Sequence, residues 1–266
     1  MRLIMRQSEK DVAVWTANYI VQRISFFSPV PGEPPSKPFV LGLPTGSTPI
    51  EIYQALVGRH NAGLVSFENV TTFNMDEYVG LAPDHPQSYH KFMDDHLFSH
   101  VNIAKEHIHI LDGCADNLKA ECAAYEEAIK KAGGIELFLG GIGEDGHIAF
   151  NEPGSSLTSR TRVVALTRET REVNARFFSR VDEVPKQALS VGVGTVMDAR
   201  EVVIVAAGKR KARAIAACVE GPVTQMCTAS CLQMHPNVTV VCDEAAIAEL
   251  KYGTVQYYLE AEKRCK

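Results

Sequence analysis

Short β-branched runs that are apolar from end to end alternate along this chain with longer amphipathic stretches, and that alternation constrains the fold more than any other feature. "FVLGL" (39–43), "VTTFN" (70–74), "IHIL" (108–111), "IELFLG" (135–140), "RVVALT" (162–167), "ALSVGVG" (188–194), "EVVIVAA" (201–207) and "VTVVCD" (238–243) read as strands. Helical patterns lie around them. Ser8 and Asp11 form a capping box before a helix whose Val12, Trp15, Tyr19, Ile20 and Ile24 share a face, and "PIEIYQALVGRH" carries Pro49 in its first turn. Further helical segments are read at 116–132, 168–178, 209–219 and 244–262. Strands that are apolar throughout must be covered on both faces, which βαβ crossovers achieve and open hairpins do not. The expected fold is therefore α/β: a single domain over 1–266, with a doubly wound, mostly parallel sheet and helices on both faces.

Composition narrows the partners. At 266 residues, 45% apolar and 22% charged, the chain can bury a large core without disulfides or metals. The net charge is −5 and the basic residues are scattered, with "GKRKAR" (208–213) the one cluster, so no nucleic-acid surface is expected. The seven cysteines (114, 122, 218, 227, 231, 242 and 265) contain no C-x-x-C pair, which argues against a disulfide framework or zinc ribbon and for a reducing compartment. The N-terminal residues lack the apolar core of a signal peptide, and no apolar run approaches the ~18 residues of a membrane span, so a cytoplasmic protein that meets no membrane is expected.

In open α/β sheets ligands bind beyond the carboxyl ends of the strands. There this sequence places "PTGSTP" after 39–43, "MDEYVG" after 70–74, "GIGEDGH" after 135–140 and "GKRK" after 201–207. Gly46 lets the backbone turn so that successive N–H groups can face one anion; Ser47 and Thr48 add hydroxyls, and a helix N-terminus follows. A phosphate suits that loop, and an ordinary capped turn is the competing reading. Lys211 would supply a counter-charge, unless it is a solvated surface lysine. Asp76, just past a strand, sits at the rim rather than the core and could serve as a general base or only cap a turn.

"GIGEDGHIAFNEP" (141–153) has two readings. Its G-x-G-x-x-G resembles a dinucleotide fingerprint, but Pro153 and Gly154 break the chain where that motif needs a long helix. The alternative takes Asp145, His147 and Glu152 as an acid–base cluster, since a histidine flanked by carboxylates suits proton transfer. H-x-x-x-x-E is not the spacing of a helical metal pair, so no metal is expected.

Together "LGLPTGSTP", "TFNMDEYVGL", "HPQSYH", "GGIGEDGHIAFNEPGSSL", "SRTRV", "ARFF" and "VGVGTVMDA" make the chain closely resemble the glucosamine-6-phosphate deaminase family, from its first residues to about Glu262. The resemblance implies a fold akin to ribose-5-phosphate isomerase, often as a hexamer. It implies conversion of a small-molecule sugar phosphate, glucosamine 6-phosphate, to fructose 6-phosphate and ammonia without any cofactor. Residue by residue, Asp76 matches the base for the C2 proton, and His147 the ring-opening histidine with Asp145 and Glu152 beside it. Thr45, Gly46, Ser47, Thr48, Arg176 and Lys211 match the phosphate-binding groups. Many relatives are activated by N-acetylglucosamine 6-phosphate at a subunit interface, and Ser155, Arg162 and Tyr257 match residues of that site. Val164 and Ala165 stand where well-known bacterial members have a lysine and a threonine, so activation is expected to be weak. 6-Phosphogluconolactonases share a "DGH" turn, but Asp76 in "FNMDEY" and Glu152 in "FNEP" fit the deaminases. A sugar-phosphate sensor with a similar effector domain would need a DNA-binding segment ahead of the first α/β unit, and none is read there.

Overall fold

The computed structural model describes residues 1–27 and 37–264; most of "SPVPGEPPSKP" (28–38), whose prolines predict a loop, and the last two residues lie outside it. No strand is read from the sequence at the N-terminus, yet the structure begins with β1 (Arg2–Arg6), in which Leu3 and Ile4 are buried. An apolar core of two or three residues between arginines is too short to register as a pattern. In chain order there follow α1 (Glu9–Phe27), β2 (Phe39–Leu43), α2 (Thr48–Asn61), β3 (Val70–Asn74), β4 (Asp76–Tyr78), α3 (Tyr89–His96), β5 (Ile108–His109), α4 (Leu118–Lys131) and β6 (Leu137–Gly141). Then come β7 (Arg162–Ala165), α5 (Arg168–Asn174), β8 (Gln187–Ser190), α6 (Val193–Met197), β9 (Val202–Ala206), α7 (Ala212–Glu220), β10 (Val238–Asp243) and α8 (Tyr252–Arg264). The capping box at α1 forms: the Ser8 hydroxyl accepts the Asp11 N–H at 3.2 Å.

Seven strands make one sheet in the order β1-β10-β9-β6-β2-β3-β5, and every pairing in it is parallel. Alternate residues of each strand serve opposite faces. Val202, Ile204 and Ala206 of β9 join one core with Cys122 and Ile129 of α4 and Ile215 of α7. Val203 and Val205 join the other, with Val12 and Ile20 of α1, Ile52 and Leu56 of α2 and Met93 of α3. This is the doubly wound arrangement the apolar runs require. From β2 the chain winds outward to β3 and β5, then returns to the other side of β2 for β6, β9 and β10. The winding reverses between β2 and β6, where the strand ends splay their loops apart and leave a crevice.

Three strand readings need correction. β7 and β8 do not belong to the parallel sheet. With β4, which the sequence does not reveal, they form a separate three-stranded antiparallel sheet in the order β4-β8-β7. Its strands are short and part of β7 is solvent-exposed, as antiparallel pairing tolerates. "IHIL" pairs only over Ile108–His109. The last helix starts at Tyr252 rather than 244, because the Asp243 carboxylate caps a turn by accepting the Ala246 N–H at 2.8 Å and draws Ala246 fully into the core.

Candidate active site

The loops after β2 and β6 flank the reversal point. In the first, Gly46 has φ +103°, a conformation that L side chains rarely adopt, and it turns the chain sharply into α2. Ser47 precedes α2, but its hydroxyl caps no helical N–H; it receives a long contact of 3.5 Å from Arg176 Nη2 across the crevice. Thr45 hydrogen-bonds with the partly buried Tyr89, and Thr48 opens α2. Lys211 comes from the far side, after β9, and its Nζ donates to the Ile142 carbonyl at 2.7 Å. Burial lowers its pKa, opposed by the charges of Glu144 and Asp145 and aided by those of Arg210 and Arg176. Lys211 is thus no solvated surface lysine. Arg176 lies within reach of the loop at Ser47 and close enough to Lys211 to affect its charge.

In the second loop the Gly143 N–H donates to His147 O at 2.9 Å and the Gly146 N–H to Gly143 O at 3.1 Å, closing a tight turn with Gly146 at φ +88°. The turn folds Asp145 back on His147. Asp145 Oδ1 accepts the His147 backbone N–H at 3.0 Å and approaches Nδ1 of the ring at 2.7 Å, off the axis of a hydrogen bond. Burial would raise the Asp145 carboxyl, but the bonds and charge of His147 outweigh it and hold the pKa below the usual range. The imidazole lies close against Gly143: a Cβ there would meet ring Cε1 and Nδ1 at 2.4 Å and Asp145 Oδ1 at 2.7 Å. Glu152 closes the group, and its Oε1 accepts the hydroxyls of Thr167 (at 3.2 Å) and Thr170 at the start of α5. The donor atoms of Asp145, His147 and Glu152 lie within 4.8 Å of one another. A turn therefore gathers what the linear spacing separates, and the spacing argument against a metal does not hold; the group could bridge a cation as well as relay a proton.

Asp76 departs from expectation. It begins β4, opposite Ser190 of β8, and is 7% exposed, so it is a core carboxylate rather than a rim one. Burial, with the charge of Glu77 adding to it, lifts its pKa from 3.8 to about 8. Glu77 is itself fully buried and accepts the N–H groups of Tyr78 at 2.7 Å, Tyr89 at 2.8 Å and His90 at 3.0 Å, the latter two in the first turn of α3. Burial still raises its carboxyl in spite of them. Tyr53 and Tyr125, both buried, and the partly buried Tyr89 lie close enough to Asp76 to feel its charge. A carboxylate so placed, when ionised, is a strong base.

Of the effector-type residues, the structure joins two. Arg162 Nη2 donates to Ser155 Oγ at 3.2 Å, whereas Tyr257 is exposed on α8, stacked edge-on with Tyr258. Val164 points into a small core with Tyr78, Phe150, Leu166 and Val184, and Ala165 is exposed. Sequence reasoning misses Thr167, Thr170 and the tyrosines around Asp76, for which no local motif exists. Two surface clefts, about 500 Å³ beside α4 and α6 and about 660 Å³ between α1 and α8, contain none of the predicted site residues.

Residues 8–241 match the family model described as glucosamine-6-phosphate isomerases/6-phosphogluconolactonase. The glucosamine-6-phosphate deaminase of Phocaeicola vulgatus is 55% identical over 264 residues, 99% of both chains. A solved monomeric glucosamine-6-phosphate deaminase, 39% identical, superposes with a TM-score of 0.88 over 94% of this chain and 100% of its own. The 6-phosphogluconolactonase of Trypanosoma cruzi, 21% identical, reaches a TM-score of 0.75 over 94% of this chain and 97% of its own, a likeness of fold alone. The chain belongs to the family of glucosamine-6-phosphate isomerases and 6-phosphogluconolactonases, on its glucosamine-6-phosphate deaminase branch.

Proposed function

We propose that this protein is an isomerising deaminase, hydrolytic overall, that converts glucosamine 6-phosphate and water to fructose 6-phosphate and ammonia. What supports the reading is that two proton-transfer groups follow the strands on either side of β2: the His147 cluster after β6, and the buried Asp76 after β3 with its pKa raised to about 8. The pyranose opens first, His147 with Asp145 and Glu152 exchanging protons between the anomeric hydroxyl and the ring oxygen. Asp76 takes the C2 proton, leaving an enolamine, and a proton is delivered to C1. Water adds to the resulting ketimine and ammonia leaves. The C1 aldehyde freed by ring opening takes up the charge left at C2, so the chemistry calls for no separate electron sink. Thr45, Gly46, Ser47, Thr48, Arg176 and Lys211 hold the phosphate. Incubation of the purified protein with glucosamine 6-phosphate should release ammonia and fructose 6-phosphate in equal amounts; folded protein that yields neither overturns the reading.

Lys211→Met should raise KM for the phosphorylated sugar roughly 10- to 100-fold, as expected for losing a charge-assisted phosphate contact of about 1.5–3 kcal/mol. Inhibition by free glucosamine should not change. An equal loss toward both sugars would mean that Lys211 supports the loop through Ile142 O instead.

We infer a cytoplasmic enzyme of one domain that assembles as a homo-oligomer, a hexamer by family resemblance. No described helix is long and apolar enough to cross a membrane. The solved relative is described as monomeric, so sedimentation of this chain decides between the two states. N-acetylglucosamine 6-phosphate should activate weakly, because Arg162 is the one cation that this chain keeps at the matching positions. Substrate saturation curves with and without it should nearly coincide; a sigmoidal curve made hyperbolic by the effector would refute this. Val164 is 8% exposed, so Val164→Lys would bury an ammonium, and the exposed Ala165→Thr is the cleaner attempt to strengthen activation.

A further inference from the structure

The turn between His147 and Glu152 is strained and held from outside. Ala149 sits at φ +52°, a non-glycine residue in the left-handed region, which persists only where the surroundings fix it. Three side chains do so. Ser190 Oγ accepts the Phe150 N–H at 3.1 Å; Thr228 Oγ1 accepts the Ile148 N–H at 3.2 Å and donates to Asn151 O at 3.2 Å. Asn151, fully buried, donates from Nδ2 to Ile148 O at 2.9 Å and to Val191 O at 2.8 Å. Its remaining atom, Oδ1, accepts Arg162 Nη1 at 2.8 Å.

Arg162 has no carboxylate partner among the described residues. Its guanidinium is half-buried against Asn151 Oδ1, Ser155 Oγ and, at 3.5 Å, the Arg160 carbonyl. A desolvated cation with only neutral acceptors binds them strongly, so the contact to Asn151 is the firmest the amide makes. The small sheet adds a second link: Arg162 pairs in register with Ser190, and Ser190 pairs with Asp76.

We propose that Asn151 is a positioning residue through which the Arg162 guanidinium sets the geometry of the turn that carries His147 and Glu152. The proposal rests on the reading of those two residues as the acid–base pair. A shift or neutralisation of Arg162 releases Oδ1, the Asn151 amide relaxes, and its contacts to the carbonyls of Ile148 in the turn and Val191 after β8 loosen together. Nothing in this chain of contacts reaches the phosphate loop.

The test uses the full chain, ligand-free, with histidine ring nitrogens labelled for NMR. Arg162→Gln and Asn151→Ala should each move the His147 ring resonances, and the double variant should move them no further than Asn151→Ala alone. Arg162→Lys, which keeps the charge, should restore part of the native position. Unmoved resonances in folded Arg162→Gln, or fully additive shifts, overturn the coupling whether or not the protein turns over glucosamine 6-phosphate. In steady-state kinetics of an active enzyme, Arg162→Gln should lower kcat about tenfold while KM stays within about twofold, since misplacement of an acid–base group acts on the chemical step. A change in KM alone would overturn it. Because Asn151 is fully buried and its variant could misfold, the half-buried Arg162 by itself keeps the proposal open to refutation.

Discussion

Asp76→Asn should abolish most of the turnover and, at alkaline pH, make the protein more stable. The rate should fall by on the order of 10²–10⁴-fold, the contribution of one positioned general base. The accompanying rise in stability follows from linkage. With its pKa lifted from 3.8 to about 8, the folded protein keeps a proton on Asp76 that the unfolded chain releases above about pH 4. The stability tied to that proton is therefore whole at low pH, declines through the interval from about 4 to 8, and is gone above it. Each unit in that window is worth up to about 1.4 kcal/mol, so the total is on the order of several kcal/mol. Asparagine does not titrate. The Tm difference between Asp76→Asn and wild type should be small near pH 4, grow to about pH 8 and then level off. A difference flat in pH would mean that the native carboxylate is not held protonated. Near-normal turnover would remove Asp76 from the role of base.

The same burial shapes the pH dependence of the reaction. Only ionised Asp76 can accept the C2 proton, so kcat/KM should climb as pH rises through about 8 in the free enzyme. Solvent deuterium exchange at C2 should vanish in Asp76→Asn even if ring opening persists. That separates loss of the base from collapse of the site.

How far this could be read from the amino acids depended on the range over which each feature is set. The central strands were legible because β9 and β10 are buried along their whole length, and nothing but a covered parallel sheet accepts "VVIVA" and "VTVVCD" in that form. The loops after β2 and β6 were legible for a related reason: Gly46, Gly143 and Gly146 lie at fixed offsets past such strands. The small sheet was not. β4 holds three residues, and β7 and β8 pair across gaps whose partners are chosen in three dimensions. Asp76 shows the consequence. Its residue type and its position after a strand pointed to a base, but its burial, and with it a pKa near 8, arises only when β8 and the tyrosines close over it.

The acid–base group divides along the same line. Asp145 and His147 are neighbours in sequence, so their contact was within reach of inspection. What fixes Glu152 was not: Thr167 and Thr170 lie 15 and 18 residues away, on a helix start whose direction depends on β7 joining the small sheet. Lys211 reaches the Ile142 carbonyl because β9 lies beside β6, a fact of strand order rather than of local pattern. Burial corrected the reading of Val164 as well. Its alignment with a lysine position in relatives says nothing about its side chain, which here packs with Tyr78 and Phe150.

His147→Gln should lower turnover of the cyclic substrate by about 10²–10⁴-fold, and an analogue locked in the open form should recover part of that loss, because the proton transfers of ring opening are then not required. Gly143→Ala offers an independent route to the same defect without touching an ionisable group. Gly143 is not among the described glycines at positive φ, so alanine is compatible with the backbone there. The added methyl, however, would lie 2.4 Å from His147 Cε1 and Nδ1 and 2.7 Å from Asp145 Oδ1, a clash relieved only by moving the ring, the carboxylate or the turn. A displacement near 1 Å can cost on the order of 10²-fold when it moves a catalytic group off its line of transfer. The two variants should therefore share one signature: a large defect on the pyranose, a smaller one on the open form, and little change in phosphate affinity, since Ser47 and Arg176 lie outside the turn. Asp76→Asn should show the opposite pattern, with equal defects on both forms, because C2 deprotonation follows ring opening in either case. If His147→Gln is equally impaired on both forms, His147 is not the ring-opening group. If folded Gly143→Ala retains the wild-type rate, the 2.7 Å approach of Asp145 to the imidazole is not what orients it for proton transfer.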